Sequence, residues 1–244
     1  PYKPARKTRA SVARAKGLEA LGVKELNIVA QDVTRYGLDL YGEYRLAALV
    51  KAITENTSIP WIRLLYCYPD KITDELIHEL RNNDRLVKYM DIPVQHISDS
   101  VLKRMNRHGG PDVIKSAVER LRKAVPDITL RTTVITGFPG ETEEDFTELC
   151  EYVKEAEFDR LGAFTYSAEE GTPAAEMEDQ VPSSVQSERF NRLLNLQNDI
   201  AYEINQKHLG QTIRVLCDGK SKNNPDVLCG RTEGNKIVLF SGDE

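Results

Sequence analysis

Between residues 24 and 167 the chain alternates short β-prone apolar runs with amphipathic helical patterns, and this beat constrains the fold more than any other feature. "KELNIVA" (24–30), "WIRLLY" (61–66), "LVKYMDIPV" (86–94), "DITLRTTVIT" (127–136) and "DRLGAFTYS" (159–167) read as strands. "RLAALVKAITEN" (45–56), "TDELIHELRNN" (73–83), "SDSVLKRMNRHG" (98–109), "PDVIKSAVERLRKAV" (111–125) and "EEDFTELCEYVKEA" (143–156) read as helices. Thr73 and Thr142 stand where N-caps are needed, and Phe146, Leu149, Val153 and Ala156 share one helical face. Five strands separated by helices predict a parallel sheet with helices packed outside it. A barrel, a partial barrel and an open doubly wound sheet all satisfy the pattern. In each of them chemistry collects at the carboxyl ends of the strands.

Those ends read "AQDVTRYG", "YCYPD", "PVQHISD", "TGFPGE" and "TYSAEEGTP". Each turns polar or rich in Gly and Pro directly after an apolar run. One such loop means little, whereas five together predict a ring around a site. The sharpest is "RTTVITGFPGETEEDF" (131–146), where a strand stops at Gly137, Pro139 and Gly140. Glycines at a strand end let another group approach the backbone closely. A plain strand-to-helix turn, with Glu141, Glu143 and Glu144 placed to suit the helix dipole, explains the same letters equally well.

From Ser183 to His208 the pattern is one long helix with Phe190, Leu193, Leu194, Gln197, Ile200, Ala201 and Ile204 on its apolar stripe. After Gly210, "TIRVLCDG", "DVLCG" and "KIVLF" predict short strands of a small antiparallel unit. The expected division is 1–208 and 209–244. A formal net charge of −5 argues against a surface dominated by phosphate contacts, while leaving room for a local basic patch. No apolar run reaches the roughly 20 residues of a membrane span. Cys67, Cys150, Cys217 and Cys229 are widely spaced. They exclude a disulfide scaffold and any local metal-ligand motif, and predict reduced thiols in a cytoplasmic protein. The chain starts at Pro1, as a portion of a longer protein would.

"AQDVTRYGLDLYG", "RLLYCYPD", "YMDIPVQHISDSVLKRMNR", "VITGFPGETEEDF" and "YSAEEGTPAA" together resemble the methylthiotransferase branch of the radical S-adenosylmethionine enzymes. The strongest likeness is to the RimO type, which methylthiolates an aspartate of a small-subunit ribosomal protein. It extends from about residue 17 to 234. "GFPGETEEDF" is shared across the branch; "AQDVTRYG", "LLYCYPD" and "IPVQHISD" are specific to this type. The resemblance implies an α/β fold: a partial (βα)6 TIM-like barrel followed by a small antiparallel β domain of the TRAM type. It also implies a [4Fe-4S] cluster on a C-x-x-x-C-x-x-C loop, which reduces S-adenosylmethionine to a 5′-deoxyadenosyl radical. That motif is absent from this sequence, as is the family's separate N-terminal domain. The chain as given is therefore expected to be unable to cleave S-adenosylmethionine. "GRTEGNKIVLF" is also shorter than the family pattern.

By the same resemblance Gly137 and Gly140 shape a shelf for the adenine, while Glu141 anchors the loop or reaches the nucleoside. Arg131 and Thr133 alternate on one face of their strand. Arg131 is expected either on the cofactor's carboxylate or in an ion pair with Asp32 or Asp91. Gln31 and Asp32 are expected at the cofactor's amino group, with Asp32 capping its own loop as the alternative. Gln95 and His96 are expected at the ribose or the substrate, or His96 as a loop-bonded structural histidine. Ser98 and Asp99 fit the cap of the next helix. Tyr66, Tyr68 and Asp70 are expected at the substrate entrance, and Cys67 as a small buried thiol rather than a nucleophile. Glu169 and Glu170, with Glu176, Glu178 and Asp179, form an acidic run near the site mouth, suited to a basic ribosomal protein and repellent to RNA phosphates. The expected partners are that ribosomal protein and a reductant such as a flavodoxin or ferredoxin, with no membrane and no nucleic-acid substrate. Two other readings stand beside this one: a transfer-RNA adenosine methylthiotransferase, and a cluster-free barrel serving as a binding module.

Overall fold

The computed structural model describes residues 6–242. The expected division at residue 208 reaches into 1–5 and 243–244, which lie outside the described residues. In chain order the regular elements begin with α1 (Thr8–Ala20), β1 (Glu25–Val29), α2 (Leu38–Tyr41), α3 (Leu46–Asn56) and β2 (Trp61–Leu65). They continue with α4 (Asp74–Asn82), β3 (Leu86–Gln95), α5 (Asp99–Arg104), α6 (Gly110–Ala124), β4 (Thr129–Thr136), α7 (Glu143–Ala156) and β5 (Arg160–Thr165). The long helix α8 (Ser183–Gln206) precedes β6 (Val215–Lys220), β7 (Leu228–Thr232) and β8 (Ile237–Phe240).

The first five strands form one parallel sheet in the order β1-β2-β3-β4-β5. Strand order never reverses, so the doubly wound alternative, which needs a switch point, does not apply. Steps in one direction with right-handed crossovers put every helix on the same face and leave the other face concave, as in a barrel. Alternation along the strands divides the two faces. Ile62, Leu64, Met90, Ile92, Leu130 and Val134 join the helices in the main core. Arg63, Asp91, Arg131 and Thr133 occupy the alternate positions and face inward. The sixth strand implied by the resemblance is not among the described residues.

The three C-terminal strands make a separate antiparallel sheet, β6-β7-β8. It closes the end of the large sheet opposite the site loops. Arg63, only 2% exposed, donates to the Glu233 carbonyl at 2.6 Å and pairs with Glu25 at the same distance. Arg160 donates to the Asn235 carbonyl, and Leu216 packs with Trp61, Val87 and Tyr89. Helix α8 ends at Gln206 and β6 starts at Val215.

Two elements depart from the sequence reading. The helix expected over 98–109 stops at Arg104, because Asn106 adopts a left-handed φ of 54° and Gly109 a φ of 99°. Helix α1 has no counterpart in the reading. Its only buried residue is Ala15, so it carries no apolar stripe to betray it.

Candidate active site

The carboxyl ends of the five strands converge at the open end of the concave face. Asp91 and Arg131 pair across β3 and β4 at 2.5 Å. The second Asp91 oxygen accepts the Tyr66 amide at 3.2 Å, which holds Tyr66 at a left-handed φ of 61°. Asp91 is 2% exposed, whereas the Arg131 side chain keeps 31% of its surface. Of the two roles expected for Arg131 the ion pair is thus formed, with one edge of the guanidinium left open. Burial together with the Asp91 charge pushes the neighbouring Tyr89 phenol up to about 12. On β5, a β-carbon added at Gly162 would meet Arg131 at 3.4 Å and Phe164 and Thr133 at 3.8 Å, so that these side chains close round the strand at ordinary packing distances. Thr133 is half-buried there.

Glu141 is fully buried and works inside the protein. Its Oε2 accepts the Gly137 amide at 2.9 Å, and its Oε1 takes Arg189 of α8 at 2.7 Å. It anchors the loop, the first of its two expected roles. Gly137 and Gly140 both have positive φ, 71° and 78°. A β-carbon on Gly137 would collide with the Gln186 side chain, and one on Gly140 with the Arg104–Asp179 ion pair. Protein side chains fill the space beside both glycines. Phe138 is buried edge-on against Tyr166, with ring centroids 5.1 Å apart.

His96 has no exposed surface. Its Nδ1 accepts the Ser98 amide at 3.0 Å, and its Nε2 lies 3.5 Å from Glu141. His96 is bonded to its own loop, the second of its two expected roles. Ser98 stands at the N-cap position of α5 with Asp99 in its first turn, as expected, but its hydroxyl makes no cap hydrogen bond there. Its hydroxyl, with that of Ser100, donates to Asp145, which closes a capping box with Thr142 at the start of α7. Burial opposes the Asp145 charge, but these donors outweigh it and hold the carboxyl down at about 2.

Asp32 spends its oxygens on its own loop: Oδ1 takes the Thr34 amide at 3.0 Å and Oδ2 takes Arg35 at 3.1 Å. This realises the alternative in which Asp32 caps its own loop. Gln31 beside it is exposed. Gln31 and Asp32 also border a cleft of about 1130 Å³ between α1, β1 and α3. Gln95 has a φ of 69°, and its Oε1 is buried without a partner. Tyr66 is 46% exposed at the mouth. Tyr68 lies under Arg107, 4.4 Å from its guanidinium, and Asp70 pairs with Lys71 at 3.1 Å. Burial, then the Asp91 and Asp32 carboxylates, push the Cys67 thiol well above its usual value, so it is inert. Glu169 and Glu170 are exposed after β5.

The reading missed Arg189, Gln186, Arg104 and Ser100. Arg189 left one sign: it stands four residues before Leu193 in the stripe Leu193, Gln197, Ile200, Ile204, a charged residue in a buried row.

Residues 1–153 match the model of the radical SAM superfamily. The chain belongs to that superfamily. Within it, the chain is similar to proteins named ribosomal protein uS12 methylthiotransferase RimO. The one from Desulfitobacterium hafniense is 49% identical over 94% of this chain and 51% of its own length. The one from Clostridium tetani is 51% identical over 87% of this chain and 48% of its own. The chain spans about half the length of these relatives. Among solved structures, coproporphyrinogen III oxidase from Escherichia coli, a radical SAM enzyme, superposes with a TM-score of 0.60 at 14% identity, covering 96% of this chain and 65% of that one. Methylornithine synthase gives 0.53 at 14% identity over 81% and 56%. These two likenesses speak for the fold.

Superfamily membership implies S-adenosylmethionine and a [4Fe-4S] cluster. The inward side of the sheet fits the first: the orphaned Gln95 oxygen at the end of β3 and the open edge of Arg131 offer polar partners. It does not fit the second, because among the described residues no group of three His, Cys, Asp or Glu side chains could hold a metal. No helix among the described residues is long and apolar enough to cross a membrane.

Proposed function

We propose that this chain is the barrel portion of a methylthiotransferase that adds a methylthio group to the β-carbon of an aspartate in a small-subunit ribosomal protein. The observation that carries the reading is the 49–51% identity to proteins named uS12 methylthiotransferase over 87–94% of the chain. When bound, S-adenosylmethionine supplies the hydrogen-abstracting chemistry; the residues described above hold and orient it. Gln95 Oε1, which has no partner of its own, accepts an N–H or O–H of the cofactor. The open edge of Arg131 takes the methionyl carboxylate while Asp91 fixes its other edge. Gly137 to Gly140 present main-chain groups to the base, Gln31 takes the amino group, and Thr133 lines the floor. Tyr66, Tyr68 and Asp70 stand at the substrate entrance.

The acidic loop after β5 supports a basic protein substrate over RNA. Glu169, Glu170, Glu176 and Glu178 are exposed and carry no ion pair among the described residues. Such a rim steers a basic partner and repels phosphates. We place the protein in the cytoplasm on the strength of its four free cysteines, with a flavodoxin- or ferredoxin-like reductant as partner. Binding of the purified ribosomal protein, compared between the native chain and Glu169→Lys/Glu170→Lys, tests the charge argument. Weaker binding by the variant at low salt is expected; equal binding would contradict it.

A further inference from the structure

We infer that the exposed face of α1 binds the phosphate backbone of an RNA, separately from the proposed reaction and without that RNA being modified. The first 18 residues contain Lys3, Arg6, Lys7, Arg9, Arg14 and Lys16 and no acidic residue, although the whole chain carries a net charge of −5. Charge is thus segregated: this one helix and its approach are strongly basic in an acidic protein.

Most arginines of this molecule have a carboxylate partner, among them Arg35, Arg63, Arg104, Arg131, Arg189 and Arg231. Lys7, Arg9, Arg14 and Lys16 are exposed, and none is in an ion pair among the described residues. At 100° per residue, Lys7 and Arg14 fall on one flank of the helix, where Arg14 also borders the rim of the cleft beside Gln31 and Asp32, and Arg9 and Lys16 fall on the other. Ala15 is the buried centre of the inward side. Between the two basic flanks, on the outward side, lie Ala10, Ala13, Gly17 and Ala20, all exposed. A β-carbon on Gly17 would meet nothing within 4 Å.

That composition chooses between two kinds of anionic partner. A folded acidic protein is held by large buried anchors at the centre of the contact. The outward side of α1 offers none; Leu21, 81% exposed, lies past the last turn. A nucleic-acid backbone needs no such anchor, because counterion release from repeated phosphates supplies the affinity. Small side chains between two basic rows let that backbone come close. A ribosomal protein substrate is itself an RNA-binding protein, so the acidic loop after β5 and the basic helix beside β1, at opposite edges of the sheet, suit its two components.

Fluorescence anisotropy of the full chain with a labelled single-stranded RNA oligonucleotide tests this. Four phosphate contacts predict a log–log salt slope of about −3, a roughly 50-fold weakening between about 50 and about 200 mM salt. Replacing Lys7, Arg9, Arg14 and Lys16 together by Gln should weaken binding about tenfold or more at low salt and flatten the slope. The control Lys123→Gln/Lys154→Gln, on α6 and α7, should bind as the native chain does. Circular dichroism checks that each variant is folded. Absent RNA binding, binding unchanged in the four-site variant, or equal loss in the control would overturn the inference. Binding of polyglutamate in place of RNA would also overturn it and assign the face to an acidic protein.

Discussion

Arg189 of α8 reaches the Glu141 carboxylate at 2.7 Å and the Glu141 carbonyl at 3.0 Å, both within a fully buried setting. One guanidinium from the last barrel helix thereby fixes the loop that ends β4. Glu141 passes the restraint on to the Gly137 amide, and His96 stands 3.5 Å away on the β3 loop. Removing the arginine leaves a buried carboxylate uncompensated. Arg189→Met is expected to destabilise the fold by about 3–5 kcal/mol, while Glu141→Gln with Arg189→Met together loses less than the sum. Urea unfolding of the two singles and the double measures this.

Gly137 is held by conformation and by packing at once. A residue with a β-carbon at φ 71° costs about 1–2 kcal/mol. The collision with Gln186 adds about 1–3 kcal/mol more. Gln186→Ala introduced into Gly137→Ala should recover the second cost but not the first. Thermal denaturation of the single and double variants separates the two.

Much of this fold was legible in the letters because its strands and helices carry strong periods of 2 and 3.6. The capping threonines were legible for the same local reason. Helix α1 was not, since Ala, Arg and Lys form helix without leaving a stripe. The site was legible as a set of loops, less so as roles. Asp32, Glu141 and His96 turned inward because their partners, Arg35, Arg189 and Ser98, are set by three-dimensional packing or by a turn that single letters do not encode. Arg131 found Asp91 because both occupy inward positions of neighbouring strands, a relation that alternation does reveal.

Asp145 gives the fold an acid-sensitive tie between the β3 and β4 loops. Its carboxyl sits at about 2, below the ordinary aspartate value near 3.9. A depressed pKa contributes stability above the unfolded value and loses it as pH falls through the folded one. The contribution, about 1–2 kcal/mol after discounting for partial exposure, is present at pH 6 and fades between about pH 4 and pH 2. Asp145→Asn should be less stable than the native chain at pH 6 and should approach it near pH 2.5. Guanidinium titrations at both pH values check the sign.

Gln95 is the polar atom with most to gain from a ligand. Gln95→Leu removes the buried, unpartnered oxygen, so the empty protein should be no less stable by more than about 1 kcal/mol, while S-adenosylmethionine binding weakens about tenfold. Calorimetric titration beside thermal melting reads both. Equal affinity in a folded variant would remove Gln95 from the cofactor site.

The central claim is chemical and has one direct test. The complete enzyme is incubated anaerobically with S-adenosylmethionine, a reductant, a sulfur source, the small-subunit ribosomal protein and transfer RNA, and both products are examined by mass spectrometry. A methylthio group on an aspartate of the protein, with unmodified transfer RNA, is the predicted result. Methylthiolated adenosine in transfer RNA beside an unmodified protein would contradict it.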